Sequence, residues 1–164
     1  MNAVAVLEVM WDWRGYTTGA GYRRQAPPWF TINPNNFTGG RLYGWLGADW
    51  NGTVTNACPD LVSSATQRGK PDPQWLEDNL RELYREAPFE LLLVCGKVAQ
   101  TTFDKTVVRT VLDKSIRLLY TPHPAFRLWS NRDLARCKRY IQEGNNSLRL
   151  SYSNGRLRAY RLPA

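Results

Sequence analysis

The sequence predicts a single α/β domain built on a mostly parallel sheet. Its 164 residues are enough for one hydrophobic core and too few for two independent ones. From residue 29 onward, strand patterns alternate with amphipathic helix patterns, which is typical of a parallel sheet. Residues 90–95 are almost entirely apolar, as expected for a strand buried on both faces of such a sheet.

The strands are predicted by apolar, β-branched runs that end at proline, glycine or asparagine. They lie at residues 3–11, 29–32, 53–57, 90–95 and 115–120. The run at 29–32 ends at Asn33-Pro34, because proline cannot donate to a sheet ladder. Residues 12–28 and 58–72 are rich in glycine, proline and polar side chains, so we expect them to form loops.

The helices are predicted by apolar stripes and by residues that cap a first turn. One helix is expected over residues 38–47, with Thr38 as its cap and Gly47 as its end. A second begins at Asp72-Pro73, where an N-cap precedes a proline at the first helical position. A third follows Gly96, and the last extends from a capping box at Ser130 to Gly144.

The end of the chain predicts a β-hairpin. Asn154-Gly155 is a strong two-residue turn signal between strand patterns at 148–152 and 156–160. Because side chains alternate along each strand, the hairpin has two different faces. The apolar face is formed by Leu148, Leu150 and Tyr152, and the arginine face by Arg149, Arg156 and Arg158. The arginine face is either the solvated side of an edge hairpin, which is the commoner case, or a contact surface for phosphates.

Positive charge is concentrated in the second half of the chain. Residues 1–96 hold 8 basic and 10 acidic side chains, whereas residues 97–164 hold 14 and 4. This asymmetry favours a polyanionic partner, most simply nucleic acid, with an ordinary basic surface as the alternative. No apolar run is long enough to span a membrane, and Glu8 interrupts the only apolar stretch near the N-terminus. We therefore expect a monomeric protein of the cytoplasm, nucleoid-associated or phage-encoded, that has no membrane contact.

The cysteines argue against a disulfide framework and against a cysteine-based zinc site. Cys58, Cys95 and Cys137 are odd in number and contain no closely spaced pair. A reducing, intracellular setting and the absence of a bound metal are the expectations that follow.

Polar residues suited to a planar heterocycle lie at the ends of three predicted strands: Asn33, Asn56 and His123. In open parallel α/β sheets, ligands bind beyond the carboxyl ends of the strands. His123 is the only histidine and stands between two prolines, which stiffen its backbone. The alternatives are a turn-forming role for Asn33, an Asn56 that bonds its own loop backbone, and a structural histidine.

The order and spacing of these motifs resemble the uracil-DNA glycosylase superfamily over about residues 29–141. Ile32-Asn33-Pro34 is similar to the first motif in its mismatch-specific form, although Thr31 replaces the glycine that precedes it. Residues 37–42 resemble the family's Pro-Phe-x-Gly-Arg-x-Gly stretch, and Asn56 resembles the asparagine that reads the base. Residues 91–99 resemble the segment that ends in Leu-Gly-x-x-Ala. Residues 123–127 are similar to the second motif, His-Pro-Ala-Tyr-Leu-Leu-Arg.

The resemblance implies a three-layer α/β/α fold around a central, mostly parallel four-stranded sheet. Residues 29–144 would form this core, with 1–28 as an N-terminal extension and 145–164 as the hairpin. The implied activity is that of a monofunctional DNA glycosylase, which hydrolyses the bond between deoxyribose and a flipped-out uracil or related modified pyrimidine. No cofactor is expected, because an iron–sulfur cluster needs four cysteines and the chain has three.

The resemblance also implies a role for each candidate residue. Asn33 would hold the attacking water, and His123 would stabilise the departing base. The implied base-binding residues are Ile32, Phe37 and Asn56, and the implied DNA-binding residues are Arg41, Phe126, Arg127 and Arg132. Two other functions fit the same fold: a non-catalytic nucleic-acid-binding module, and an enzyme that modifies or transfers a base.

Overall fold

The structure, a computed structural model, describes residues 1–10, 25–62 and 69–163. Within them the chain is α/β, as predicted, with one mixed sheet of seven strands and five helices. The strands are β1 (Asn2–Leu7), β2 (Phe30–Thr31), β3 (Asn51–Asn56), β4 (Leu91–Cys95), β5 (Arg117–Thr121), β6 (Leu148–Ser153) and β7 (Arg156–Arg161). The helices are α1 (Phe37–Leu46), α2 (Pro73–Glu86), α3 (Lys97–Asp104), α4 (Val108–Val111) and α5 (Asn131–Gln142). Much of the loop predicted over residues 12–28, and part of that over 58–72, lies outside the described residues.

The sheet order is β2-β3-β1-β4-β5-β6-β7. The strands from β3 to β6 in this order are mutually parallel, and only the two outer strands, β2 and β7, are antiparallel to their neighbours. The parallel part therefore contains one strand more than the four expected, because β6 joins it through the pairing of Leu119 with Leu148.

The N-terminal segment does not extend the core but supplies one of its interior strands. β1 pairs with β3 on one side and with β4 on the other, and residues 3–7 are all buried. The run at 29–32, expected to begin the parallel series, forms only the short antiparallel β2. Asn33-Pro34 stops that strand after two residues, so the long apolar run at the N-terminus takes an interior position.

Alternate residues of β1 pack into two separate core clusters. Ala3, Ala5 and Leu7 belong to one, which includes residues of α1 and α5. Val4 and Val6 belong to the other, which includes residues of α2 and α3. Since side chains alternate between the two sides of a strand, the sheet is covered with apolar side chains on both sides.

The starts of the four predicted helices agree with the sequence except at α1, and the short α4 was not among the predicted helices. Asp72 and Ser130 cap α2 and α5, accepting from Trp75 N at 3.0 Å and from Asp133 N at 3.1 Å. The cap of α1 is Asn36, not Thr38. A Cβ on Gly39 would lie 1.9 Å from the carbonyl oxygen of Asn33, so this glycine allows the first turn of α1 to begin directly against the Asn33 backbone.

The structure contains the predicted C-terminal hairpin. Ser153 pairs with Arg156 across the turn, and Asn154 and Gly155 have φ values of 53° and 72°, as a type I′ turn requires. Leu150 and Leu157 are buried in the core on the predicted apolar face.

No helix among the described residues is long and apolar enough to cross a membrane. The three cysteines are unpaired and buried. In the same part of the chain, no cluster of three or more histidine, cysteine or acidic side chains is placed to hold a metal ion.

Candidate functional site

The ends of β1, β3 and β5 surround a cavity of about 650 Å³. Such a volume is typical of small-molecule sites, which measure roughly 300–1,000 Å³. All of the residues predicted for catalysis and base binding line this cavity: Ile32, Asn33, Phe37, Asn56 and His123. The carboxyl edge of the sheet thus brings together residues that are up to 91 positions apart in the sequence.

Asn56 is the last residue of β3 and presents a buried amide without partners. Its side chain is 1% exposed, and among the described residues neither Nδ2 nor Oδ1 has a hydrogen-bond partner. The alternative of a loop asparagine that bonds its own backbone is therefore wrong. Leaving a buried polar group unpaired costs about 1–3 kcal/mol, so a ligand or an ordered water is needed to complete its hydrogen bonds.

His123 is held as a neutral imidazole. Its Nδ1 accepts from the Ala125 amide at 2.9 Å, so the neutral ring carries its proton on Nε2. Burial lowers the pKa of His123 below its usual value near 6.5, which keeps the ring uncharged at neutral pH. Trp129 Nε1 and Phe126 N both donate to the His123 carbonyl oxygen at 2.9 Å and fix this segment. The ring can therefore donate a hydrogen bond from Nε2 without carrying a charge.

Asn33 lies on the exposed side of the cavity and forms a local turn. Its Oδ1 accepts from the Asn35 amide at 3.0 Å, which is the geometry expected of a turn former. This bond occupies one lone pair of the oxygen and leaves the amide nitrogen to a water or ligand. Ile32, which donates its amide to Gly52 O at 3.0 Å, adds a buried apolar wall beside it.

Phe37 and Arg41 form one rim of the cavity. Phe37 is 63% exposed at the first position of α1, so it does not fill the core. The Arg41 guanidinium lies 4.3 Å from the centre of the Phe37 ring, and its Nη1 donates to Pro124 O at 2.6 Å. Arg41 thereby ties α1 to the segment after His123, and its contact with DNA remains a prediction.

Sequence reasoning missed Glu8, which follows β1 and lines the same cavity. Among the described lining residues it is the only carboxylate. The Glu8 carbonyl accepts from Cys58 N at 2.9 Å, which anchors its backbone beside the end of β3. Burial first, and then the charges of Glu8 and Asp60, raise the pKa of Cys58 to about 11, so this thiol is protonated at neutral pH. The signal that finds Glu8 is its position after an apolar strand, once that strand is known to be interior.

Beyond Ala125, which lines the cavity, the segment after His123 lies outside it. Phe126, Arg127 and Arg132 are exposed, and the Phe126 ring packs 5.6 Å from that of Tyr152. Trp129 is buried against Trp45, with ring centres 5.3 Å apart. Leu128 is 68% exposed and is the apolar side chain of this segment that projects furthest into solvent.

No protein-family model matches this chain, and no curated protein matches it either.

Proposed function

We propose that the protein is a monofunctional DNA glycosylase that hydrolyses the N-glycosidic bond of uracil, or of a related modified pyrimidine, flipped out of DNA. The observation that supports this most is the unpaired, buried amide of Asn56 in the same cavity as the neutral imidazole of His123. A flipped pyrimidine offers a hydrogen-bonding edge to the first and a carbonyl oxygen to the second.

Asn56 would identify the base. Its Oδ1 accepts from N3–H of uracil while its Nδ2 donates to O4. Cytosine presents the reverse pattern at these positions, so an amide held in this orientation would reject it. Sites built on such hydrogen bonds reject the wrong partner by roughly 10⁴-fold or more.

His123 would stabilise the leaving base. As the bond between C1′ and N1 breaks, its electron pair moves onto the base and negative charge develops on O2. A neutral imidazole that donates from Nε2 stabilises this charge, and removing one such donor costs about 100-fold or more in kcat.

Asn33 would hold the attacking water, and Glu8 would accept its proton. The oxygen of one water molecule forms the new bond to C1′ and its proton passes to the Glu8 carboxylate, because an asparagine cannot take a proton at neutral pH. The products are the free base and an abasic site. Lyase chemistry needs an amine nucleophile, and none of the described lining residues is a lysine.

The exposed residues around the cavity would bind the DNA. Phe37 stacks on the flipped base, and Leu128 or Phe126 enters the vacated base stack. Arg127 and Arg132 contact phosphates.

We further propose membership of the uracil-DNA glycosylase superfamily with its three-layer α/β/α architecture. The alternation of β1 between two core clusters that include different helices supports this architecture. The enzyme would act as a monomer and without a cofactor.

The test uses labelled single- and double-stranded oligonucleotides that contain one uracil, incubated with the protein and then treated with alkali. We expect strand breakage with the wild type and its loss in His123→Ala and Asn56→Ala. The matched control is Asn79→Ala, which removes another buried asparagine with an unpaired Nδ2, on α2 and away from the cavity, and should cleave normally. Intact DNA with the folded wild type would refute the proposal. Salt-sensitive DNA binding without breakage would then indicate the non-catalytic module.

A further inference from the structure

The C-terminal hairpin projects beyond the edge of the sheet at which the cavity lies. β6 is parallel to β5, with Leu119 opposite Leu148 and Tyr120 opposite Arg149. Continuing this register places Thr121, the end of β5, opposite Leu150, whereas β6 continues to Ser153. At about 3.3 Å per residue, the three further residues carry the turn roughly 10 Å past the end of β5.

The hairpin is held against the segment that follows His123. The ring of Tyr152 lies 5.6 Å from the rings of both Phe126 and Trp129, and its hydroxyl donates to Asp133 Oδ2 at 2.6 Å. On the second arm, Arg136 Nη1 donates to Leu157 O at 2.8 Å. These contacts fix the hairpin relative to α5 and to the cavity.

One face of the hairpin is strongly basic. Residues 145–164 contain four arginines and no acidic residue. Arg156 and Arg158 are exposed and share a face with Arg149, opposite the face that carries the buried Leu150 and Leu157. Within the described residues, the arginines that form ion pairs are Arg81, Arg85, Arg109 and Arg136. The charges of the hairpin face are therefore not neutralised by those contacts.

Arg149 anchors this basic face to the sheet. Its guanidinium lies 5.1 Å from the centre of the Tyr120 ring, and its Nη1 lies 3.4 Å from Gln100 Oε1. On the same ring, Arg109 lies 5.5 Å from the centre and is paired with Asp104. Arg156 and Arg158 are thus the more exposed charges, nearest the turn.

We infer that the arginine face of the C-terminal hairpin, Arg149, Arg156 and Arg158, binds the phosphate backbone of the DNA beyond the cavity, on the side of the sheet opposite the apolar residues that line it. The inference rests on the proposed function, since a site that acts on a base in DNA must also hold the strand on either side of it. A polyanion is the partner that complements an unneutralised row of arginines at the edge where the cavity lies.

The test measures binding of the full chain to a uracil-free duplex by fluorescence anisotropy between 50 and 200 mM salt. Arg158→Ala should lower the salt slope by about 1, and Arg156→Ala with Arg158→Ala by about 2. Arg161→Ala is the matched control: it removes the same charge from the same strand, but on the opposite face and far from the turn. Arg161→Ala should leave the salt slope unchanged. Arg158→Lys should retain most of the wild-type slope, because it keeps the charge. On uracil DNA, the double variant should raise KM and leave kcat within about twofold.

Two outcomes would overturn the inference. Equal slopes in Arg158→Ala and Arg161→Ala would show that only net charge matters, and a wild type that does not bind DNA would exclude the surface altogether. Failure of the proposed function can be distinguished from failure of this inference, because it appears only as missing cleavage of uracil DNA. A slope lowered by Arg158→Ala alone supports the basic surface whether or not the DNA is cleaved.

Discussion

Replacing Asn56 by leucine should stabilise the protein while abolishing its recognition of uracil. The two side chains are close in size, and the amide of Asn56 is buried without hydrogen-bond partners among the described residues. An asparagine kept for structural reasons would form bonds whose removal destabilises the fold. An asparagine kept to bind a ligand instead lowers the free energy of unfolding while the site is empty, because its buried amide is unpaired.

The magnitude follows from the unpaired atoms. Leaving a buried polar group unpaired costs about 1–3 kcal/mol, so replacing the amide by an apolar group of similar shape should recover about 2 kcal/mol. In a chain of this length, 1 kcal/mol shifts Tm by roughly 2–4 °C, so we expect Asn56→Leu to melt about 4–8 °C higher than the wild type. Cleavage of uracil DNA should fall by about 10³-fold or more, because both hydrogen bonds to the base are lost.

The measurement pairs thermal unfolding without DNA with single-turnover cleavage of a uracil oligonucleotide. Asn79→Leu is the matched control, because Asn79 is also buried but has one unpaired atom and lies outside the cavity. It should cleave at the wild-type rate. A lower Tm in Asn56→Leu would mean that the amide stabilises the empty protein, and full cleavage would mean that it does not read the base. Either result refutes the reasoning.

Three further predictions concern Glu8, His123 and the glycines of α1. If Glu8 takes the proton of the attacking water, Glu8→Gln should lower kcat by about 10²–10⁴-fold with little change in KM, and an unchanged kcat in a single-turnover assay would exclude this role. Because burial lowers the pKa of His123, the unfolded chain binds more protons than the folded one below pH 6.5. The contribution of His123 to the free energy of unfolding is therefore fully present above about pH 6.5. It decreases as the pH falls from there towards the lowered pKa. In urea unfolding between pH 7.5 and 5, His123→Gln should show a weaker pH dependence than the wild type, and an identical dependence would contradict a neutral buried ring. Gly39→Ala should destabilise the protein, because its Cβ would lie 1.9 Å from Asn33 O. In Gly44→Ala the added Cβ meets nothing within 4 Å, so this substitution should stabilise α1 by about 0.8–1 kcal/mol. Calorimetry of the two variants should therefore give Tm shifts of opposite sign.

The limits of sequence reasoning show most clearly at β1. The apolar run at residues 3–11 indicates a strand, but nothing local indicates that it lies between β3 and β4. Sheet order depends on contacts between distant segments, and the resemblance begins only near residue 29. For this reason Glu8 was interpreted as an interruption in an apolar run, although it lies at the cavity.

The cap of α1 was mispredicted for a similar reason. Asn36 and Thr38 are both good capping residues, so local chemistry does not choose between them. The choice depends on Gly39, whose missing side chain lets the helix begin against the Asn33 carbonyl. The caps at Asp72 and Ser130 were predictable, because each is the capping residue directly before a strongly amphipathic helix.

The sheet order sets the separation between the backbones of Asn56 and His123. Asn56 ends β3 and His123 follows β5, with β1 and β4 between them, so their backbones are three strand spacings, or roughly 14 Å, apart. Two side chains and two hydrogen bonds of about 2.9 Å each must fit within that distance. Between the two strands, β4 ends at Gly96, where φ is +90° and a Cβ would lie 3.5 Å from the Cβ of His123. A side chain at this position would be strained by the backbone, because residues with a side chain rarely adopt this φ. The glycine therefore keeps the end of β4 free of side-chain atoms beside His123, in the part of the sheet that separates His123 from Asn56.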